Sequence, residues 1–342
     1  MERATFGRTA LAAGAAAIWL APLPALAWGH TGHVEISELA IATLPPELPQ
    51  FLRSSASDAE VGQLGAEPDV SKTAGTIHDA ERDAGHYIDV DDAGLVDGVS
   101  PLTPLAATRE AFDTAQRAGG RTQYSSGYLP YNIVDGWQQL RKDFAYFRAD
   151  KVGLATATSD DDRGFFQYQL ELRRKLILRD IGVWSHYVGD GSQPLHVSVH
   201  YNGWGKYPNP QNFTQAHIHA QFEGAFVRQF TKLDDIFFAI RPYHDCGCAI
   251  EQRVAEYMQA TASQVVPLYT LAKADPAPFT TPVKAEVKFA TQRLAAGAAE
   301  LRDEIVDAWR SSATWTVGYP LINVADVESG KVHLTRTSYA GD

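Results

Sequence analysis

The segment from His186 to His196 constrains this chain more than any other. His186 and Asp190 are four residues apart, so on a helix they lie on one face. Pro194 cannot continue that helix, so the chain must turn within a residue or two of it. The turn brings His196 back toward the same pocket. Two imidazoles and a carboxylate that converge in this way are suitable ligands for a divalent metal of the zinc type.

A second pair, His219 and Glu223, repeats the spacing of four residues. One such pair alone is more often a surface ion pair than a metal site. Here two pairs and a proline turn with a third histidine lie within about forty residues. This combination favours metal binding over surface ion pairing.

Charge and length narrow the range of functions. The 342 residues allow one large domain or two small ones, and the formal net charge is −11. This charge argues against a passive binder of polyanions that depends on a basic surface. It does not exclude an enzyme whose bound metal ions supply the local positive charge.

Residues 1–27 have the pattern of a secretory signal peptide. Arg3 and Arg8 precede an apolar run, and Ala25-Leu26-Ala27 is a small-x-small cleavage site. We therefore predict a secreted or periplasmic protein whose mature domain covers residues 28–342; an uncleaved anchor is the alternative. No later stretch is apolar over 18 residues, so no membrane span is predicted.

The remaining sequence predicts an all-α fold, a single multi-helix domain with irregular loops and little or no sheet. The helices follow apolar spacing near 3.6 residues and proline starts, and Asp160-Asp161-Asp162 is predicted to cap the helix that begins at about Arg163. A tail from about residue 315 is expected to be irregular, with a short hairpin at Ser329-Gly330. The predicted helices cover Val34 to Leu44, Pro104 to Ala118, Ile133 to Ala149, about Arg163 to Asp190, His219 to about Phe238, and the ranges 248–272 and 282–312.

The chain has two cysteines, Cys246 and Cys248, with one glycine between them. A disulfide between them would close a small, strained ring. Metal ligation by the pair is the weaker alternative, because no further cysteine exists to complete a thiolate site.

The series formed by His186, Asp190, Pro194-Leu195-His196, His219 and Glu223 resembles the S1/P1 nuclease and zinc-dependent phospholipase C superfamily. These are helical enzymes that hold three zinc ions and cleave phosphodiesters. The resemblance covers most of residues 28–225, and beyond that the chain matches only in being helical.

The resemblance implies three zinc sites. In this family the N-terminal tryptophan of the mature chain ligates through its amine and carbonyl, together with a histidine five residues later, and Trp28 and His33 have that spacing. Asp190 would bridge two of the ions. The implied sets are Asp69, His86, His186 and Asp190 for one ion, His196, His219 and Glu223 for the second, and Trp28, His33 and Asp190 for the third.

The resemblance also implies catalytic roles for Asp69 and Lys72. Water activated by the metal ions would attack phosphorus, and Asp69 would accept its proton. Lys72 stands where family members carry an arginine that faces the phosphate. Lysine keeps the charge but lacks the bidentate fork, so a solvated surface base is an equal alternative for Lys72.

The substrate is predicted to be single-stranded nucleic acid or a nucleotide, without an obligate protein partner. In the family's nucleases an aromatic residue at the position of Tyr87 stacks on a base, and an aspartate at the position of Asp89 bonds its edge. Core packing is the alternative for Tyr87.

A phospholipase C acting on phospholipid is the second reading, because Glu223 stands where nucleases usually have aspartate. The choline-binding positions of the phospholipases hold Thr31, Val70 and Asp83, which would not form a choline cage. A non-catalytic, helical, metal-binding secreted protein is the alternative from another class.

Overall fold

The computed structural model describes residues 28–340, and the predicted signal peptide lies outside the described residues. The all-α prediction is confirmed, since helices make up most of this part of the chain. Two antiparallel pairs of two-residue strands accompany them, and these pairs are β1 (Leu95–Val96) with β2 (Ser100–Pro101) and β3 (Thr316–Val317) with β4 (Ile322–Asn323).

The first half of the described chain contains six shorter α-helices followed by two very long ones. They are α1 (Gly29–Ala42), α2 (Ser55–Gly65), α3 (Glu67–Val70), α4 (Thr76–Arg82), α5 (Arg109–Ala118), α6 (Gln123–Ser126), α7 (Leu129–Thr156) and α8 (Asp160–Asp190). Short 3₁₀ segments occur at Gln50–Arg53, Ser71–Thr73, Asp83–His86 and Pro194–His196.

The second half contains one more long helix. Its helices are α9 (Val227–Phe230), α10 (Leu233–Ala239), α11 (Ile250–Ala262), α12 (Val265–Ala274), α13 (Lys284–Ser312), α14 (Val324–Glu328) and α15 (Arg336–Ala340). A π-helical segment, Gln221–Phe226, directly precedes α9.

Helices α7 and α8 form a long hairpin joined by only three residues, 157–159. Pro130 lies in the first turn of α7, where its missing N–H is not needed. The Ser159 side chain caps α8 by accepting a hydrogen bond from the Asp162 amide, and three aspartates in the first turn complement the helix dipole. The residue that caps α8 is thus Ser159, whereas Asp160-Asp161-Asp162, predicted as the cap, form the first turn of the helix.

Helix α13 packs across α1, α7 and α8, and their shared core is apolar. Phe144, Ile181, Leu294 and Ile305 are fully buried there. Helix α8 begins in solvent but ends inside this core, because nearly all residues from Ile181 to Asp190 are buried. The fold therefore places the end of α8 that holds His186 and Asp190, the predicted metal ligands, at the centre of the molecule.

Several predicted helix boundaries are wrong, as for the helix expected over 133–149, which is α7 and longer at both ends. The helix expected from Pro104 begins at Arg109, because Thr108 supplies the side-chain cap that the preceding residues lack. The helix expected to reach Phe238 contains the π segment and is interrupted at Thr231, whose backbone is extended. The helix expected over 248–272 is divided at residues 263–264 into α11 and α12.

The tail is more ordered than expected. Its hairpin is formed by β3 and β4, with Gly318 at φ 75°, and not at Ser329-Gly330, where α14 ends. Val324, Val327 and Leu334 pack on Phe166 of α8 in a second, smaller core. Apolar residues of the tail thus cover the solvent end of the α7–α8 hairpin.

Cys246 and Cys248 form a disulfide bond, so the alternative of metal ligation is wrong. The bond lies in an irregular segment, 240–249, that crosses α13. In this segment Tyr243 donates a hydrogen bond to Asp307 at 2.6 Å, and the His244 amide donates to Asp303 at 3.1 Å. No helix in the described part of the chain is sufficiently long and apolar to cross a membrane.

A buried ion network joins α11 to α13. Arg253 is only 5% exposed and contacts three carboxylates, those of Glu300 at 2.6 Å, Asp307 at 2.9 Å and Asp303 at 3.3 Å. Removing one member of such a network leaves buried charges without compensation.

We predict that Arg253→Met lowers the free energy of unfolding by about 3–5 kcal/mol, because three carboxylates lose their buried partner. Lys175→Met is the control, since Lys175 and Glu171 form an exposed pair on α8, and its effect should stay under about 1 kcal/mol. Denaturant unfolding of the two variants and the wild type measures the difference. Equal losses would contradict the importance of the buried network.

Candidate metal centre

Asp190 lies at the centre of a group of three histidines. Its Oδ1 is 3.4 Å from His33 Nε2, and its Oδ2 is 3.3 Å from His86 Nδ1 and 3.4 Å from His186 Nε2. His33 comes from α1, His86 from the 3₁₀ segment after α4, and His186 from α8 itself. The two oxygens of Asp190 therefore face different histidines, as a bridging carboxylate would.

Close helix packing makes this convergence possible. The rings of His33 and His186 are stacked 3.8 Å apart. A Cβ on Gly189 would lie 3.1 Å from the His33 ring, and a Cβ on Gly65 would lie 2.4 Å from the hydroxyl of Ser37. Glycine at these two positions lets α1, α2 and α8 approach closely.

Asp69 and Lys72 lie at the edge of the same group. Asp69 Oδ1 is 3.8 Å from His186 Nε2 and 2.7 Å from Lys72 Nζ. Burial lowers the pKa of Lys72, but Asp69 and further carboxylates outweigh this effect, so the pKa is raised above its usual value. Lys72 therefore stays a cation beside the centre, and only 14% of its side chain is exposed.

A second group contains His196, His219 and Glu223. Glu223 Oε2 is 2.8 Å from His219 Nε2 and 3.6 Å from His196 Nε2. Glu223 lies in the π-helical segment Gln221–Phe226, and widened helical turns of this kind occur frequently at functional sites. Burial raises the pKa of Glu223, but His219 and His196 outweigh it and lower the pKa to about 2.

Backbone carbonyls orient two of the imidazoles. His186 Nδ1 donates to the Gly65 carbonyl at 2.9 Å, and His196 Nδ1 donates to the His86 carbonyl at 2.7 Å. With Nδ1 protonated, Nε2 of each neutral ring carries the lone pair, which in His186 accepts a hydrogen bond from His86 Nδ1 at 2.9 Å and would be the atom to ligate a cation. The bond between His196 and the His86 carbonyl also connects the two groups, because it joins a member of each.

The polar atoms of both groups are buried, and within the described chain many have no hydrogen-bond partner. Buried polar groups are nearly always paired, so such a concentration indicates a missing partner. The donor atoms form three sets, and within each set the atoms lie within 4.8 Å of one another. The unpartnered atoms are both ring nitrogens of His33, His219 Nδ1, Asp69 Oδ2, both carboxylate oxygens of Asp190, His196 Nε2 and Glu223 Oε1.

The protonation states of the buried histidines are also suitable for binding a cation. Burial, reinforced by neighbouring positive groups, lowers the pKa of His33, His86 and His186 well below the usual value. These imidazoles are therefore neutral at neutral pH, as ligation requires. Several buried clusters of histidine and carboxylate can thus hold metal ions, and the sets are His33, His186 and Asp190; Asp69, His86 and His186; and His196, His219 and Glu223.

Trp28 lies beside these groups but belongs to none of the three sets. Its side chain is fully buried, and Nε1 donates to the Gly189 carbonyl at 3.0 Å and to Ser192 Oγ at 2.8 Å. Its carbonyl already accepts a hydrogen bond from the Gly32 amide at 3.2 Å. Ligation by the backbone of Trp28 therefore stays a prediction.

A cavity of about 380 Å³ opens beside both groups. The predicted substrate residues Tyr87 and Asp89 line it together with Lys72, His86, His196 and His219. Tyr87 is only half-buried, and its hydroxyl donates to the Tyr124 carbonyl at 3.1 Å, so its ring forms part of the cavity wall. Tyr87 also packs against the hydrophobic core, so the structure is consistent with both the cavity role and the core-packing alternative.

Three further residues of this wall, Ser125, Tyr201 and Asn202, are not among the predicted site residues. Asn202 Oδ1 accepts a hydrogen bond from the His219 amide at 3.3 Å, which connects the loop after His196 to the second group. The Asn-Gly pair at 202–203, with Gly203 at φ 92°, is the local signal of this turn.

Asp89 is a carboxyl group that stays protonated at neutral pH. Burial and the nearby Asp97 carboxylate raise its pKa to about 8, and Arg121 opposes this effect. Arg121 lies 3.4 Å from Asp97. At pH 7 Asp89 therefore presents both a hydrogen-bond donor and an acceptor to the cavity.

The chain matches no protein-family model and no curated protein. The centre is therefore characterised by its own geometry, namely three sets of buried donor atoms beside one cavity.

We predict that Asp190→Asn lowers the number of tightly bound divalent metal ions by at least one per chain. The change keeps the size of the side chain but removes the negative charge between His33, His86 and His186. Elemental analysis after dialysis measures this. Asp180→Asn, the same change on the same helix, should leave the metal content unchanged, and an equal content in both variants would contradict the assignment.

Proposed function

We propose that this protein is a zinc-dependent phosphodiesterase of the S1/P1 nuclease type. It hydrolyses single-stranded nucleic acid or nucleotides to 5′-phosphate products and acts after secretion or export to the periplasm. The observation that carries the proposal is the position of three buried sets of metal-binding atoms beside one cavity with a tyrosine wall. The resemblance described from the sequence supports the same reaction.

Zinc is the proposed metal, with three ions per chain. Imidazole and carboxylate donors without thiolate suit zinc, and the sets contain only these donors. The third ion would also take the Trp28 amine and carbonyl once the signal peptide is removed. When bound, the ions supply Lewis acidity and a water molecule of lowered pKa.

Asp69 and Lys72 supply the remaining chemistry in this proposal. The Asp69 carboxylate lies at the edge of the centre and accepts the proton of the attacking water. Lys72 lines the cavity and remains charged, so it neutralises negative charge on the phosphoryl oxygens as the bond breaks. Their contact at 2.7 Å keeps the acceptor and the cation next to each other.

Tyr87 and Asp89 hold the substrate base in this proposal. The ring of Tyr87 offers a stacking surface, and stacking contributes about 1–3 kcal/mol per base. The protonated carboxyl of Asp89 bonds the base edge with one donor and one acceptor. Tyr201 is 55% exposed at the same cavity and adds a second aromatic surface.

Phospholipase C activity is the second candidate, and exposed apolar residues are the observation in its favour. Val70 and Ile77 are 61% and 83% exposed on the segment that also carries Asp69 and Lys72. Such residues suit contact with a lipid surface. We rank this candidate second, because the positions for a choline cage lack aromatic side chains. A protein that binds metal without catalysis is the third candidate.

We predict that the purified mature protein releases 5′-nucleotides from single-stranded DNA faster than it releases phosphocholine from phosphatidylcholine vesicles. Chelation should abolish hydrolysis and lower the melting temperature, since the metal ions stabilise only the folded chain. Asp190→Asn should reduce the rate at least about a thousandfold, roughly 4 kcal/mol of transition-state stabilisation. Faster release of phosphocholine would select the second candidate, and three bound zinc ions without hydrolysis of either substrate would select the third.

A pH dependence follows from the raised pKa of Asp89. The neutral carboxyl donates a hydrogen bond to the base, and this donor is lost as pH rises through about 8. The KM for a nucleotide substrate should therefore increase above pH 8. Asp89→Asn keeps a donor and an acceptor at all pH values, so its KM should stay constant between pH 7 and 9.

Asp97→Asn is the matched control for this prediction. The Asp97 carboxylate raises the pKa of Asp89, so removing its charge should move the increase in KM to lower pH. Steady-state kinetics on all three proteins would measure these profiles. An unchanged pH profile in Asp89→Asn would show that another group causes the increase.

A further inference from the structure

Gln193 is a fully buried amide between the end of α8 and the 3₁₀ segment that carries His196. Its Oε1 accepts a hydrogen bond from the Leu195 amide at 2.9 Å. Its Nε2 donates to Glu223 Oε2 at 3.2 Å, across thirty positions of sequence. The side chain thus connects the proline turn to the π-helical segment.

The orientation of this amide is fixed by its two neighbours. The Leu195 N–H is a donor only, and the Glu223 carboxylate is an acceptor when ionised. A flipped amide would place two donors face to face at Leu195 and two acceptors face to face at Glu223. Only one orientation satisfies both partners, and burial makes the alternative costly.

We propose that Gln193 is a positioning residue for the metal site formed by His196, His219 and Glu223, an inference that rests on the proposed metal centre. The oxygen it holds, Glu223 Oε2, is also the one nearest to both imidazole nitrogens. The amide therefore fixes the rotation of the carboxylate before a cation binds. Loss of such an outer hydrogen bond typically costs about 10–100-fold in metal affinity.

A purely structural role for Gln193 would be to cap the turn. That role uses the side-chain oxygen, whereas the positioning role uses the side-chain nitrogen. Oε1 stabilises the turn through Leu195, whereas Nε2 contacts the carboxylate. A turn defect would disturb the whole centre, because His196 is also bonded to the carbonyl of His86 in the first group. A positioning defect would weaken only the site that contains Glu223.

The test compares Gln193→Met with Gln221→Met. Gln221 lies in the same π-helical segment as Glu223, but its amide donates to the Phe279 carbonyl at 2.8 Å and not to a carboxylate of the centre. Zinc content is measured by elemental analysis after equilibration at a series of buffered free zinc concentrations. We expect one of the three ions to bind about 10–100-fold more weakly in Gln193→Met and unchanged in Gln221→Met.

The same substitution in a His219→Ala background separates the two roles. This background lacks the affected site but keeps the bond between His196 and the His86 carbonyl, through which a turn defect would reach the other ions. A positioning defect should therefore not weaken the remaining ions further. A weaker binding of those ions would indicate a turn defect and overturn the proposal, as would unchanged binding in the single variant. Wild-type protein that binds no zinc in the same experiment would overturn the metal centre itself, which is a distinguishable result.

Discussion

The burial of Asp190 among three imidazoles is the constraint on which the rest of the structure depends. Burial raises the pKa of this carboxyl well above its usual value, because its charge has no water around it. An ionised carboxylate buried without a partner costs several kcal/mol, so without a cation this carboxyl is neutralised by a proton. A divalent cation in the proposed centre would instead stabilise the ionised form and compensate both oxygens at once. The proposed centre and the fold thus depend on the same buried group.

The helices are arranged so that this charge lies far from solvent. Helix α8 must be long, because its first turns contact the tail while its last turns lie under α1 and α13. Contacts between small residues bring α1 and α8 together, as where Ser37 and Ser185 share a hydrogen bond of 2.7 Å. The carbonyls of Gly65 and His86 then fix the histidine tautomers. Helix packing and ligand orientation are therefore determined by the same contacts.

The sequence predicts those features of the site that depend on local geometry. Residues four apart on a helix, such as His186 and Asp190, share a face in any helical fold, and Pro194 enforces a turn. Contacts between distant segments have no such local signal. Glu223 gives no sign of a π-helical turn, Gln193 resembles any polar residue of a turn, and the pKa of Asp89 depends on Asp97 across a folded loop. Some predicted helix boundaries were also wrong, because a capping side chain determines where the helix begins, as Thr108 does for α5.

The lining of the cavity reconciles the negative charge of the chain with the proposed phosphodiester substrate. It includes Lys72, and the proposed zinc ligands His86, His196 and His219 would add positive charge there once ions are bound. It also includes Asp89, which is neutral at pH 7 because burial and Asp97 raise its pKa. An ionised carboxylate there would repel the substrate. The formal charge of −11 therefore says little about the cavity itself, where a proton on Asp89 and the cations of the proposed centre would reduce the negative charge.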